Sequence, residues 1–241
     1  MKNSYYLVVL FLLLGWLPAG AQTIREQAEE ARALYLQANA SPAGLALRTS
    51  LSQQPGGFLG KGDFQTGALR TFDGRYLPVP GLRYSTSLHL LEAQDSLNTD
   101  LTHLWPLGSL RGFDLGEAGG TGELALRRFR SRLVHATGGT HREFVEVLTT
   151  TDAGPLLLAW LHNPSPDAAG KAQAPVLMVG SGRSAAEPLR PLDPTQTTVL
   201  RLLGARAEAV RTYATGEHLR FDQPAEVARM LDYYNRVAVV E

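Results

Sequence analysis

No cysteine occurs in the 241 residues. Its absence removes disulfides, thiolate metal sites, cysteine nucleophiles and a lipid-modified N-terminal cysteine from consideration. Charge of one sign is missing too, with 23 Lys and Arg against 23 Asp and Glu. Nucleic-acid-binding chains usually carry a basic surplus, so that class is not expected. Charged residues are 19% and hydrophobic residues 44%, the balance of a globular chain rather than a disordered one. The length suits one large or two small domains, so core burial is not limiting.

Long apolar runs are also scarce, with one conspicuous case at Leu7 to Leu17, broken only by Gly15. Lys2 precedes it, and Pro18 and Ala19-Gly20-Ala21 follow it. Positive start, apolar centre and small residues before a cleavage point are the three parts of a secretory signal peptide. A membrane-spanning helix needs about 20 apolar residues, more than this run supplies. Residues 1–21 are therefore read as a signal peptide cleaved after Ala21. The mature chain would carry 22 basic and 23 acidic residues and would lie in a periplasm or outside the cell.

Beyond Ala21 the punctuation predicts four further regions. Residues 22–56 form an N-terminal helix, Thr23 to Asn39, and a loop rich in helix breakers from Gln53. Residues 57–161 read as an antiparallel β region of about seven or eight short strands. Asp73-Gly74 and Gly138-Gly139 mark two hairpins, Pro78, Pro80 and Gly81 separate strands, and Gly116 to Gly122 is a flexible connection. Residues 162–194 form a Pro/Gly-rich connection, in which Pro188, Pro191 and Pro194 forbid a regular helix. Residues 195–241 are helical, with a break or bend at Gly204. In the last helix Asp222 caps, Pro224 sits in the first turn, and Val227, Leu231 and Tyr234 share a face that must dock on the β region. The expected fold is mainly β, an antiparallel meander closed as a barrel or folded as a sandwich, with a C-terminal helical segment (α+β). The β region and the tail are taken as one cooperative domain.

The run Gly67-Ala68-Leu69-Arg70-Thr71-Phe72-Asp73-Gly74-Arg75-Tyr76, followed by Gly81-Leu82-Arg83-Tyr84 and later by Phe113, resembles a pattern in uncharacterised exported proteins of Bacteroidota. Arg142-Glu143-Phe144-Val145-Glu146-Val147-Leu148 and Met230-Leu231-Asp232-Tyr233-Tyr234-Asn235 are similar as well. The resemblance spans about Gly57 to Asn235. It implies an envelope location and a β-rich body with a helical tail, and it implies no activity.

Motifs with chemical content are few. Gly180-Ser181-Gly182-Arg183-Ser184-Ala185 follows an apolar strand and matches the dinucleotide-binding glycine pattern. That pattern needs a helix to hold the pyrophosphate, and Pro188 and Pro191 forbid a long one, so a plain glycine turn is the reading. Ser181 lacks the full G-x-S-x-G of a nucleophile elbow. The six histidines are His89, His103, His135, His141, His162 and His218, none at metalloprotease spacing. His135 and His141 bracket a hairpin. A two-residue loop there, pairing Thr137 with Thr140 and His135 with Arg142, points them to opposite faces. Glu143 and Glu146 also fall on opposite faces of a strand, and Glu92 and Asp95 sit at a strand end.

One feature has a definite geometric consequence. In a strand Arg128, Arg130 and Arg132 share one face, with Phe129, Ser131 and Leu133 on the other. Such a row of guanidiniums could hold phosphate or carboxylate groups, which makes these three the candidate anion-binding residues. The alternative is a solvated sheet face, with Glu143 or Glu146 balancing the charge across strands. No catalytic residue, metal site or cofactor is expected. The leading functional reading is a non-catalytic envelope or secreted binding or scaffolding protein, whose partner is an envelope protein or an anionic glycolipid or polysaccharide. The runner-up is a hydrolase acting on envelope or extracellular material. An outer-membrane barrel is disfavoured by the short, punctuated strands.

Overall fold

The structure is a computed structural model that describes residues 58–86, 89–95, 98–100, 102–105, 107–136, 139–162 and 174–238. The signal peptide, the helix expected at 23–39 and most of the loop at 163–174 lie outside the described residues. Ten strands form a single open antiparallel sheet: β1 (Gln65–Arg70), β2 (Tyr76–Ser85), β3 (Leu90–Gln94), β4 (Thr102–Trp105), β5 (Gly112–Leu115), β6 (Arg127–Ala136), β7 (Gly139–Val147), β8 (Leu157–Leu161), β9 (Val176–Gly180) and β10 (Arg190–Pro191). The strand order is β10-β9-β8-β7-β6-β5-β1-β2-β3-β4. Two meanders thus meet where β5 returns to pair with the far side of β1. The mainly β, antiparallel fold with a helical tail is what the chain adopts. Among the described residues all ten strands belong to one open sheet rather than to the two sheets of a sandwich.

The strand count and some boundaries differ from the sequence reading, for local reasons. Pro78 and Pro80 do not separate strands but lie inside β2, where Pro78 faces Ala68 of β1. Pairing with β3 begins only at Leu82, so the prolines stand where β2 is locally an edge and a missing N–H costs no ladder bond. β4 and β10, four and two residues long, carry too little pattern to read. A strand is expected from the sequence over Leu107 to Asp114, but β5 begins only at Gly112, as tertiary pairing confines it to the residues that meet β1 and β6.

The expected hairpins are present. Gly74 takes φ +86° between β1 and β2, a conformation in which a Cβ would be strained. At the second hairpin Ala136 pairs with Gly139 and His135 with Thr140, so the turn lies one residue earlier than the Gly138-Gly139 reading and each partner shifts by two. His135 and His141 still point to opposite faces, because His141 pairs with Val134 on the alternate side. The glycine-rich connection is a hydrogen-bonded turn, in which the Glu117 N–H donates to the Leu124 carbonyl at 2.9 Å.

Three apolar clusters hold these elements. Tyr84, Phe113, Phe129 and Phe144 centre the first, with the Phe113 and Phe129 rings stacked 4.5 Å apart across β5 and β6. The second lies where the sheet bends back on itself. Leu189 bridges Val134 of β6 in parallel and exchanges backbone hydrogen bonds with Leu133 and His135. β6 to β10 thereby wrap around Val134, Val145, Leu157, Met178 and Leu189. The third joins sheet to tail. Helices α1 (Gln196–Leu203), α2 (Ala207–Gly216) and α3 (Pro224–Ala238) bring Val199, Leu203, Val210, Val227 and Leu231 onto Leu158, Leu177 and Val179. Each such side chain, fully buried, contributes about 1.5–3 kcal/mol.

The break expected at Gly204 is there, with φ +53° in a 3-10 turn between α1 and α2. The residue before α3 is Gln223, whose carbonyl accepts from the Val227 N–H at 2.9 Å. Asp222 does not cap the helix: both of its carboxylate oxygens bond the Arg220 guanidinium. Among the described residues no helix is long and apolar enough to cross a membrane.

Candidate functional site

The arginine row exists as a row, but its donors turn onto the protein. β6 is regular from Arg127 to Ala136, so Arg128, Arg130 and Arg132 share one side of the strand. Arg130 and Arg132 are buried at 6% and 4% exposure, and Asp114 of β5 at 3%. β5 pairs with β6 so that Asp114 faces Arg128, two positions along from the Gly112–Arg130 pair and on the same face as Arg130. Arg130 Nη1 donates to Asp114 Oδ1 at 2.7 Å, and its Nε donates to Asp152 Oδ2. From the other flank Arg70 of β1 donates to Asp114 Oδ2 at 2.6 Å. The result is a chain Arg70–Asp114–Arg130–Asp152 running across three strands into the β7–β8 loop.

The two outer members of the row bond carbonyls. Arg128 Nη1 donates to the Thr150 carbonyl at 2.6 Å and its Nη2 to the Thr149 carbonyl. Arg132 Nη2 donates to the Ser184 carbonyl at 2.6 Å and to that of Ser181, while its Nε is buried without a hydrogen-bond partner among the described residues. The charge balance comes from Asp114 and Asp152 rather than from the expected Glu143 or Glu146. Burial of the Arg132 guanidinium lowers its pKa, with Asp152 and Glu187 opposing. The hydrogen bond to Asp114 raises that of Arg70 against a smaller effect of burial. Burial pushes the Asp152 carboxyl up, but the bond and charge of Arg130 outweigh it and hold the carboxyl below its ordinary range.

The glycine turn read from the sequence finds its role here. Ser181 to Ser184 follow β9, no helix starts before Gln196, and the turn's carbonyls receive Arg132. Gly182 lies so close to Gly154 that a Cβ would come 2.6 Å from the Gly154 carbonyl oxygen. The turn is a packing joint between two loops.

The loop Thr149 to Leu156 is the hub of this system. Arg128 and Arg130 hold it from the sheet, and α3 holds it from the tail. Asp232 accepts from the Thr150 N–H at 2.8 Å and from the Thr150 hydroxyl at 2.6 Å. Asn235, 4% exposed, bonds both backbone groups of Leu156. These two residues belong to the Met230 to Asn235 segment noted in the sequence.

The remaining ionisable groups form separate centres. Glu146 accepts from Arg127 at 2.7 Å and 2.6 Å and lies 2.7 Å from His162 Nε2. Burial, the largest influence, raises its pKa, but the bonds and charges of Arg127 and His162 prevail and hold it at about 2. Glu143, buried, has His89 Nδ1 at 2.8 Å and His141 Nε2 at 3.4 Å. The His89 contact is close but not aligned as a hydrogen bond. His89 itself adopts φ +51°. Tyr84 is buried at 1% and its hydroxyl has no partner among the described residues. Burial and the Glu143 charge raise its pKa. Glu92 pairs with Arg83 at 2.6 Å and Asp95 with His103 at 2.8 Å. Among the described residues no group of three His, Asp or Glu side chains is placed to hold a metal ion.

Outward-facing chemistry lies elsewhere. A shallow open depression of about 490 Å³ between α1 and α2 is lined by Gln196, Thr197, Leu200, Arg201 and Arg211. The β1–β2 hairpin displays Phe72 and Tyr76, 43% and 53% exposed. The sequence identifies this hairpin as a turn but not as a site, although Phe72 and Tyr76 flank Asp73-Gly74. Turn residues are normally polar, and two aromatics there were the available signal. No family model, curated protein or solved structure matches the chain.

Proposed function

We propose that the chain is an exported, non-catalytic binding or scaffolding protein of the cell envelope or the extracellular space. The observation that supports this reading is where the charge goes. The guanidiniums and carboxylates that converge do so on one another, with Asp114 enclosed between Arg70 and Arg130, and they lock three strands, one loop and a helix into a fixed shape. An anionic partner approaching the row would have to displace Asp114, Asp152 and six backbone carbonyls. The row is therefore read as a brace, and recognition of an envelope protein or an anionic surface component is assigned to the outer face.

A hydrolase is the second reading, and one observation favours it. Glu143 between two histidines is the kind of group that general acid–base catalysis uses. The test runs both assays on the chain from Gln22 onward: capture of components from solubilised envelope, and turnover of a panel of esters, glycosides and peptides. Specific capture without turnover is expected. Turnover that Glu143→Gln abolishes in a folded protein would replace this reading by the hydrolase.

A further inference from the structure

The turn between β1 and β2 carries chemistry that the core does not absorb. Its backbone is closed by Thr71 N–H to the Arg75 carbonyl at 3.1 Å and by Gly74 N–H to the Thr71 carbonyl at 3.2 Å. The tip therefore has a defined shape. Five large apolar side chains are exposed among the described residues, and the two aromatic ones, Phe72 and Tyr76, are both here. Leu124 and Leu126 lie by the opposite end of β1, where Glu117 N–H bonds Leu124 and Gly116 N–H bonds Thr66.

Three arginines, Arg70, Arg75 and Arg111, belong to this end of the sheet. Arg70 lies over the Tyr76 ring, 4.9 Å from its centroid. Arg75, 67% exposed, contacts Asp73 at 2.6 Å. Arg111 is exposed, and its N–H bonds the Arg70 carbonyl at 2.9 Å, which fixes it beside the hairpin. Asp73 is the one exposed carboxylate of this group, since Asp114 is buried behind Arg70. The tip thus exposes two aromatic side chains, with Arg75 and Arg111 exposed against the single exposed carboxylate of Asp73.

We propose that this hairpin tip docks the protein on an anionic lipid surface, with Phe72 and Tyr76 entering the interface and Arg75 and Arg111 meeting lipid phosphates, while Arg70 stays on Asp114. Aromatic side chains are favoured at the membrane–water boundary. Each arginine near an anionic leaflet adds about fivefold in affinity. A soluble polysaccharide fits less well, because Phe72 offers no hydrogen-bonding edge and the tip provides no amide side chain. The proposal rests on the exported binding reading, but it can fail alone: capture of a protein or a soluble glycan would leave that reading standing.

The test uses the chain from Gln22 onward, which keeps every described residue. Sedimentation is measured with vesicles of phosphatidylcholine alone and with equal parts of phosphatidylcholine and phosphatidylglycerol. Binding to the anionic vesicles only, weakened by salt, is expected. Phe72→Ser with Tyr76→Ser should weaken it at least about tenfold, and Arg75→Gln with Arg111→Gln by a similar factor. Phe72→Trp should add an emission component that shifts to the blue on vesicles. All these positions are exposed, and an unchanged melting transition confirms that the variants fold. The proposal is overturned by equal sedimentation of wild type and both variants, by no sedimentation at all, or by an unshifted emission with full competition from inorganic phosphate or a soluble anionic polysaccharide.

Discussion

Asn235 of α3 satisfies both backbone groups of Leu156 at once. Its amide nitrogen donates to the Leu156 carbonyl at 2.7 Å, and its oxygen accepts from the Leu156 N–H at 2.9 Å. The two residues are 79 apart in the chain and join the helical tail to the β7–β8 loop. Asn235→Leu removes both bonds and leaves a buried N–H and carbonyl unpaired. A cost of about 2–4 kcal/mol is expected, since each unsatisfied group costs about 1–3. Urea unfolding measures it, and the wild type should show one transition by helix and sheet signals alike.

A fragment of residues 195–238 tests the same union from the other side. Two short helices and one longer one, without Leu158, Leu177 and Val179 beneath them, lack the surface that buries their apolar faces. Circular dichroism of the fragment should melt without a sharp transition. A cooperative transition in the isolated fragment would show the tail to be an independent unit.

Arg130→Met leaves Asp114 buried with Arg70 as its remaining cation and releases Asp152. Removing one partner of a buried pair typically costs about 3–5 kcal/mol. Asp114→Leu added to Arg130→Met should recover part of the loss, because no buried charge then stands uncompensated by Arg130. Chemical denaturation of the single and double variants checks both statements, and equal losses in the two would refute the brace.

Acid should release part of the stability through Glu146. Its pKa is about 2 in the folded chain against about 4.3 in an unfolded one. A depressed carboxylate contributes stability that is fully present above the unfolded value and is lost as pH falls through the folded one. The window is therefore roughly pH 4.3 down to 2, and the contribution is at most about 3 kcal/mol. Asp152, also depressed by Arg130 despite its burial, acts in the same direction. Glu146→Gln should flatten the acid limb of a melting-temperature profile. An unchanged slope would remove Glu146 as its source.

Tyr84→Phe takes away a buried hydroxyl that has no partner among the described residues and leaves the ring on Phe113, Phe129 and Phe144. Removing such a group should change stability by less than about 0.5 kcal/mol or raise it by up to about 1. Calorimetry of the variant measures this directly.

What the sequence made legible was local. The Asp73-Gly74 turn, the break at Gly204, the apolar face of α3 and the one-sided row of Arg128, Arg130 and Arg132 depend on residues a few positions apart, and each is seen in the fold. The partners of the row were not legible. Asp114 and Asp152 are 16 and 22 residues from Arg130, and β5 reaches β6 only after the first meander has turned back. The prolines of β2 misled for a related reason, since only strand order shows that their side of β2 is open. Asp222 offered a good cap, but Arg220 two residues away occupied it.

The central claim is that the charge on β6 braces the fold while binding happens at the outer face. Capture from solubilised envelope tests it with three baits starting at Gln22: the wild type, Arg128→Gln, and Phe72→Ser with Tyr76→Ser. Arg128 is the half-buried member of the row and bonds only carbonyls, so its variant should stay folded. The account predicts that lipid or other components captured by the wild type are retained by Arg128→Gln and lost by the hairpin variant. Loss in a folded Arg128→Gln protein, with retention by the hairpin variant, would contradict it and return the binding site to the arginine row.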